Sequence, residues 1–247
     1  FTTFNFVRFY EKKDGNQQTW NMDGGDDLLE KYDELDPRFA QTIAAHGANW
    51  NTEIGILNFL PGGAHNVAND KTKHLVRKWV PRVLRATAPR NSTNMDWIVF
   101  RVAELYLNYA EALNEYNGGP NSQAYQCVNE VRARVGLGGL KTGMTQEQFR
   151  EAVLRERACE FGYEEVRFFD LIRWKMEDKF NTPLHGLNVY KNKGDGTYIC
   201  EPFSLAETDR NRAWWNAGGF SSIWYFSAFP QDEVNKGYGL IQNPGWE

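Results

Sequence analysis

Hydrophobic residues recur with a helical period through the middle of the chain. After Asp96, a candidate N-cap, apolar side chains stand three or four positions apart, at Ile98, Val102, Leu105, Tyr109, Ala112, Leu113 and Tyr116. Gly118, Gly119 and Pro120 follow and are poor continuations of a helix. The pattern therefore predicts a first long helix that ends just before these residues.

A second helix is predicted to open at Asn121 or Ser122. Its apolar positions are Ala124, Val128, Val131 and Val135. Gly136 followed by Leu137 is typical of a glycine cap with a hydrophobic residue after it. Two helices with a short turn between them form a helical hairpin of the tetratricopeptide type, and one hairpin with one further helix is too little for a stable array.

A third helix begins with a capping box, because Gln148 stands three residues after Thr145. Gly162 predicts a bend or break within it. On a helical wheel, one face carries both apolar and ionisable residues, all within roughly 40° of a single direction. These residues are Phe149, Val153, Glu156, Glu160, Arg167, Leu171 and Trp174. Buried charges are costly unless they are paired. We therefore expect an internal ion network of Glu156 and Glu160 with the nearby cations Arg157, Arg167 and Arg173.

The helical block lies between two loop-rich segments. Residues 1–95 combine an alternating, strand-like stretch at Phe4–Tyr10 and a short helix around Asp26–Leu35 with long loops, and residues 180–247 return to loops rich in glycine, asparagine and aromatics. Residues 96–179 form the helical block. The sequence predicts a mainly α fold with minor β structure, organised as one domain in these three segments.

Composition narrows the classes of function. The 247 residues carry a net charge of −4 without a basic cluster, which argues against nucleic acid as a partner. Three cysteines without CxxC spacing and four scattered histidines support no metal site, so no cofactor is expected. The Asp-rich turn at residues 23–27 lacks the alternation of a calcium loop. The first residues show no signal peptide and look like the middle of a protein.

A catalytic reading has little support in the sequence. No GxSxG, Walker or HExxH motif is present. A glycoside hydrolase needs two carboxylates across a cleft, one of them with a raised pKa. Glu156 and Glu160 lie one turn apart, but arginine partners would hold both ionised. A glycan-active enzyme is the alternative to a binding protein.

Aromatic content points to sugar binding, because the indole ring stacks on the apolar faces of sugars while nearby polar groups bind the hydroxyls. The chain has nine tryptophans. We expect Trp97, Trp174 and Trp246 to pack in the interior. The candidate ligand-binding residues are Trp50 with Asn49, Trp79 with Arg82, and Trp214 and Trp215 with Asn216.

Several motifs in order resemble the C-terminal part of the SusD/RagB family. They are Tyr32–Phe39 (YDELDPRF), Phe100–Asn114 (FRVAELYLNYAEALN), Val128–Leu137 (VNEVRARVGL), Glu156-Arg157 followed by Arg167–Trp174 (RFFDLIRW), Phe229–Val234 (FPQDEV) and Gln242–Trp246 (QNPGW). The resemblance spans nearly the whole chain. One departure stands out: the family often has Glu-Gly where this chain has Glu164-Glu165, which is expected to alter helix packing.

The resemblance implies a cell-surface lipoprotein of the Gram-negative outer membrane. Family members bind glycans, in some cases peptides, and cap a SusC-type TonB-dependent transporter. Their tetratricopeptide-like hairpins support a loop-rich ligand site, and their lipid anchor lies in an N-terminal portion that this chain lacks. We therefore expect a non-catalytic nutrient-binding protein. A module that docks only on the transporter, or binds peptides without affinity for glycans, remains an alternative.

Overall fold

The computed structural model describes residues 2–66, 70–81, 96–205 and 220–246. The elements in these ranges are α1 (Phe4–Val7), β1 (Asp26–Asp27), α2 (Leu28–Glu34), α3 (Pro37–Thr42), β2 (Ile43–Ala45), β3 (His74–Val76), α4 (Val102–Asn117), α5 (Ser122–Ala133), α6 (Gln146–Glu160), α7 (Val166–Arg173), α8 (Glu177–Asn181), β4 (His185–Lys191), β5 (Tyr198–Ser204), a 3-10 turn (Ser222–Tyr225) and α9 (Gln231–Val234). The chain forms two compact units, Phe1–Arg167 with Leu184–Ser204, and Phe168–Pro183 with Leu205–Glu247.

The three predicted helices of the central block are present as α4, α5 and α6. Asn121 caps α5 by accepting from the Ala124 amide at 2.9 Å, and both hydrogen bonds of the capping box at Thr145 form. Gly118 ends α4 in the left-handed conformation, with φ of 69°. The helices share one buried cluster, made of Leu107, Ala110, Ala124, Cys127, Val128, Val131, Phe149, Val153 and Phe161. Local capping and apolar spacing therefore produced the hairpin and the helix packed on it.

The first long helix begins later than expected. Residues 96–100 are outside any helix or strand, and α4 starts at Val102 with Arg101 as its N-cap. Exposed apolar residues also continue along α4, at Val102, Leu105, Tyr106, Tyr109 and Tyr116. The apolar period was a correct indicator of the helix, but only its inner face, at Leu107 and Ala110, is fully buried.

The strand expected at Phe4–Tyr10 is replaced by the short helix α1 and a turn. Phe4, Val7 and Tyr10 are all fully buried, so the burial repeats every three residues rather than every two. The amide of Arg8 donates to the Phe4 carbonyl at 3.1 Å, as in a helical turn. The alternation of Phe4 and Phe6 suggested a strand, but Phe6 packs against the same core as Phe4 and so does not mark a second face.

The strands form two small antiparallel sheets. The larger has the order β1-β5-β4, with Cys200 of β5 facing Asp26 of β1 and Val189 of β4. The smaller pairs Ile43 of β2 with Val76 of β3. The core beneath joins residues from both ends of the first unit, including Phe4, Leu28, Phe39, Leu187 and Cys200. All three cysteines are buried and free.

The third helix breaks after Glu160, as Gly162 suggested. Tyr163 and Glu165 in the connection adopt positive φ angles of 63° and 64°, and helical structure resumes at Val166 as α7. The helical wheel therefore does not run unbroken from Phe149 to Trp174, and the buried stripe ends at Glu160.

The second unit is built on aromatic contacts. Phe180 of α8 stacks on Phe220 with centroids 4.4 Å apart. Trp246 meets Trp224 edge to face and donates from Nε1 to the carbonyl of Phe226 at 2.9 Å. In the described ranges of the chain, no helix is long and apolar enough to cross a membrane.

Candidate functional site

Two buried carboxylates lie on the inner face of α6. Glu156 and Glu160 are each 3% exposed. Glu156 accepts from Arg38 of α3 at 2.6 Å and from Arg132 of α5 at 3.0 Å. Arg38 thus joins segments 118 residues apart in sequence. Because burial of one charge is compensated by several opposite charges, the cluster can lie inside the protein.

Glu160 is the more heavily paired carboxylate. Its oxygens accept from Arg38 at 3.0 Å, Arg134 at 2.8 Å and Arg101 at 2.5 Å. Burial opposes ionisation, but the hydrogen bond and charge of Arg101 and the charge of Arg38 lower the pKa of Glu160 to about 2. Asp36 holds the other side of Arg38 at 2.6 Å. Burial would lower the pKa of the Arg38 guanidinium, yet Glu156 and Asp36 raise it above its usual range.

These partners differ from the arginines expected from sequence. Arg157 donates to Asn108 at 2.6 Å, and Arg173 donates to Asp170 at 2.8 Å. The Arg167 guanidinium lies 5.1 Å from the ring centre of Phe9. The helix ends at Glu160, before Arg167 and Arg173, while the partners of Glu156 and Glu160 come from α3, α5 and the residues flanking α4 and α5. A sequence signal for Arg38 existed, since Asp36-Pro37-Arg38 begins a helix with a capping aspartate.

Glu164 ties two chain segments together next to this cluster. It accepts from Lys78 and from Arg101, whose Nε lies 2.9 Å from Glu164 Oε2. The neighbouring Tyr163 carbonyl accepts from Trp79 Nε1 at 2.7 Å. The connection between α6 and α7 therefore holds both the residues after β3 and the residues before α4.

The two segments held by Glu164 carry a stacked pair of tryptophans. The rings of Trp79 and Trp97 are 4.9 Å apart at an interplanar angle of 15°. Trp97 is 54% exposed, and Trp79 is half-buried beneath it. Trp97 was expected in the interior; it is instead more than half exposed, and sugars stack on exposed indole rings of this kind. We call Trp79 and Trp97 the tryptophan pair.

The other predicted ligand residues are not part of this pair, and four of them lie outside the described part of the chain. Trp50 is only 9% exposed and packs in a buried cluster with Ala44, Leu57 and Phe59. Asn49 is exposed, and its carbonyl accepts from Arg77 at 3.2 Å. The remaining candidates, Arg82, Trp214, Trp215 and Asn216, lie outside the described residues.

Sequence reasoning missed Trp97 because the residue was assigned to the first helix. The signal that could have found it is the mixture of polar and apolar residues at 94–100, in which Asp96 precedes Trp97 and three apolar residues follow without a helical gap. A continuous run of this kind does not define one buried helical face.

The fold thus defines a class of protein: a mainly helical scaffold with a charged core and an exposed pair of aromatic side chains. The model of the SusD family matches residues 2–246, and the chain belongs to the SusD family. The resemblance seen in the sequence motifs is confirmed.

Similar proteins agree with this assignment. The SusD-like protein P25 of Formosa agariphila is 38% identical over an alignment of 117 residues that covers 43% of this chain and 22% of that protein. A SusD-like protein of Bacteroides fragilis has a solved structure with a TM-score of 0.77 and 27% identity, covering 98% of this chain and 46% of that one. A SusD-like carbohydrate-binding protein of the same species has a TM-score of 0.62 at 21% identity, covering 94% and 46%. The predicted fold class is confirmed, and the chain spans less than half the length of these proteins.

Proposed function

We propose that the protein binds glycans at the cell surface, without catalysis, and delivers them for nutrient uptake to a SusC-type TonB-dependent transporter. In this proposal it is a lipid-anchored protein of the outer membrane. The observation that carries the proposal is the tryptophan pair, an exposed aromatic surface held in place by buried ion pairs, in a chain of the SusD family. A protein of the same fold is described as carbohydrate-binding, which supports the same direction.

The rigidity of the tryptophan pair favours a binding role. Trp79 is fixed by its hydrogen bond to the Tyr163 carbonyl, and Trp97 is held in register by Arg101, four residues later, on Glu160 and Glu164. Aromatic surfaces that are already ordered lose less conformational entropy on binding. The pair is therefore expected to bind a sugar with little loss of conformational entropy, so that most of the weak stacking energy contributes to affinity.

The buried carboxylates support a non-catalytic role. Glu160 has a pKa of about 2 and is ionised at neutral pH, so it cannot act as the general acid of a glycosidase. Glu156 lies in the same buried cluster, between Arg38 and Arg132. Both carboxylates point at arginines inside the protein rather than at a cleft that could hold a sugar.

Affinity electrophoresis against plant, host and microbial polysaccharides tests the proposal. We expect one glycan class to retard the protein without release of reducing ends. Trp97→Ala should weaken that retardation about 2- to 12-fold, the effect of one aromatic contact of about 0.5 to 1.5 kcal/mol. Tyr116→Ala is the matched control, because Tyr116 is also an exposed aromatic residue, 90% exposed at the other end of α4.

The outcome separates the alternatives. Retardation that survives Trp97→Ala would remove the tryptophan pair from the site. Absence of binding to every glycan, with binding to peptides or to a co-expressed SusC-type transporter, would replace glycan binding by one of those roles. Turnover of an oligosaccharide that is lost in Glu156→Gln or Glu160→Gln would make the protein an enzyme.

A further inference from the structure

A second cleft in the first unit is separate from the tryptophan pair. Its volume is about 400 Å³, within the range of small-molecule sites. Its walls are the turn at residues 9–17, the loop at residues 139–144, and one side of α6. We call it the α6 cleft.

Ion pairs hold one wall of the α6 cleft, and two other cations of its lining, Lys141 and Arg155, have no partner in the described ranges. Arg132 bridges Glu11 at 2.8 Å and Glu156 at 3.0 Å, so Glu11 is neutralised at the base of the cleft. Lys141 and Arg155 also line the cleft, and neither makes an ion pair or a side-chain hydrogen bond to any residue in the described ranges. A half-buried guanidinium such as that of Arg155 is costly to desolvate without a partner.

The charge balance of the α6 cleft favours an anion. Lys141 and Arg155 supply two positive charges, while the Arg167 guanidinium lies over the Phe9 ring at 5.1 Å. Glu151, one turn before Arg155 on α6, also lines the cleft, but the two side chains form no ion pair within the described structure. Asp14 is the remaining carboxylate; its oxygens already accept from Asn16, and Lys12 Nζ lies 3.9 Å from Asp14 Oδ2. The two cations without a partner therefore exceed the single carboxylate, Glu151, that remains available to them.

The remaining lining suits a sugar rather than a bare ion. Phe9, Leu140 and Met144 supply apolar lining, and Asn16 and Gln17 also line the cleft. Each amide nitrogen donates one hydrogen bond, to Asp14 or Glu11, and each amide oxygen is able to accept from a hydroxyl group. A small apolar wall with convergent polar groups is the usual lining of a ligand site.

We propose that the α6 cleft binds an anionic sugar unit, with Arg155 and Lys141 as partners of its carboxylate or sulfate group. This inference rests on the proposed glycan-binding function and adds a second site to it. A charge-assisted hydrogen bond to such a group is stronger than a neutral one. The cleft would therefore select among glycans by charge, while the tryptophan pair contributes stacking.

Calorimetric titration with three short saccharides tests the proposal: an oligogalacturonide, a sulfated galactan oligosaccharide and the neutral maltotriose. We expect the protein to bind one or both of the charged probes, and Arg155→Gln to weaken that binding about tenfold, the loss of one charge-assisted contact. Lys141→Gln should act in the same direction. The preference between the two charged probes tells a carboxylate from a sulfate ligand.

Two control variants separate this proposal from general electrostatics and from the proposed function. Arg8→Gln removes an exposed arginine outside the cleft, and equal weakening by it would overturn the assignment. Trp97→Ala should leave binding of the charged probe to the cleft in place. Binding lost only in Trp97→Ala would overturn the cleft and keep the proposed function. Tighter binding of a poly-glutamate peptide than of either charged sugar would overturn it in favour of a peptide site. Absence of binding to both charged probes would overturn the cleft proposal, while retardation by any polysaccharide of the electrophoresis panel would keep the proposed function.

Discussion

Arg38 is the residue on which the charged core converges. Its guanidinium contacts Asp36, Glu156 and Glu160, at 2.6, 2.6 and 3.0 Å, and only 4% of the residue is exposed. Such a group can be placed between three carboxylates because each neutralises part of its desolvation cost. The buried carboxylates Glu156 and Glu160 of α6 thus depend on an arginine that lies on another helix, α3.

Replacement of Arg38 by alanine should destabilise the protein by about 3 to 5 kcal/mol, because it leaves buried carboxylates short of a cation. Urea unfolding followed by circular dichroism measures the change. Arg8→Ala is the control, since Arg8 is exposed and should be nearly neutral. A loss below about 1 kcal/mol in Arg38→Ala would indicate that the cluster is solvated.

Trp97 shows that solvent exposure, rather than residue type, decides whether a tryptophan is available to a ligand. The same side chain would be a core residue if residues 96–100 were helical, but they precede α4 and Trp97 is 54% exposed. Trp50, expected at the ligand, is 9% exposed and fills the core instead. The burial of both tryptophans is thus the reverse of what sequence reasoning assigned, and a ligand role for Trp97 is a proposal.

At the scale of elements, the connection between α6 and α7 contains backbone strain. Glu165 is exposed and has a φ of 64°, a region that glycine occupies without the penalty of a Cβ atom. Glycine is the residue that the resemblance described in the sequence analysis implies at this position. The departure noted in the sequence therefore places a non-glycine residue in a conformation that favours glycine.

Glu165→Gly should raise the free energy of unfolding by about 0.5 to 1 kcal/mol, since relief of the left-handed conformation exceeds the added flexibility of the unfolded chain. Thermal and urea unfolding of the variant measure this gain. Glu165→Ala is the matched control, because alanine keeps the Cβ atom and should show no gain. Equal stability of the two variants would show that the strain is absent.

At the scale of the whole molecule, two buried groups make stability depend on acid. Burial lowers the pKa of His74 from 6.5 to about 4, and Tyr32 lies 2.6 Å from its Nε2 atom. The unfolded chain takes up a proton between these two values while the folded chain does not, so stability falls as the pH falls through that window. Glu160, with its pKa lowered from 4.5 to about 2, extends the loss to more acid pH.

Urea unfolding at pH 7, 5 and 3 should therefore show stability falling in both steps, with about 2 kcal/mol lost from His74 in the first step and about 2 kcal/mol from Glu160 in the second. His74→Gln should reduce the loss between pH 7 and 5 relative to the original protein, after both are referred to their own stability at pH 7. Glu160→Gln should reduce the loss between pH 5 and 3 instead. Equal pH slopes for the original protein and both variants would contradict the assignment of these two groups.

The helices were predictable because their signals are local. Asn121, Thr145 and Gly118 act through hydrogen bonds and backbone conformation within a few residues, and apolar spacing chooses the buried face of α5 and α6. The motifs that identify the family are equally local. Sequence therefore determined the helical hairpin, the break near Gly162 and the membership of the SusD family.

The charged core and the aromatic surface were decided only by tertiary structure. The cation that Glu156 needs comes from Arg38, 118 residues earlier, and Trp79 meets Trp97 through segments held by Glu164. An ion pair forms where the chain brings opposite charges together, and exposure depends on what packs above a ring. Neither quantity is contained in the spacing of residues along the sequence, so the candidate site became visible only in the folded molecule.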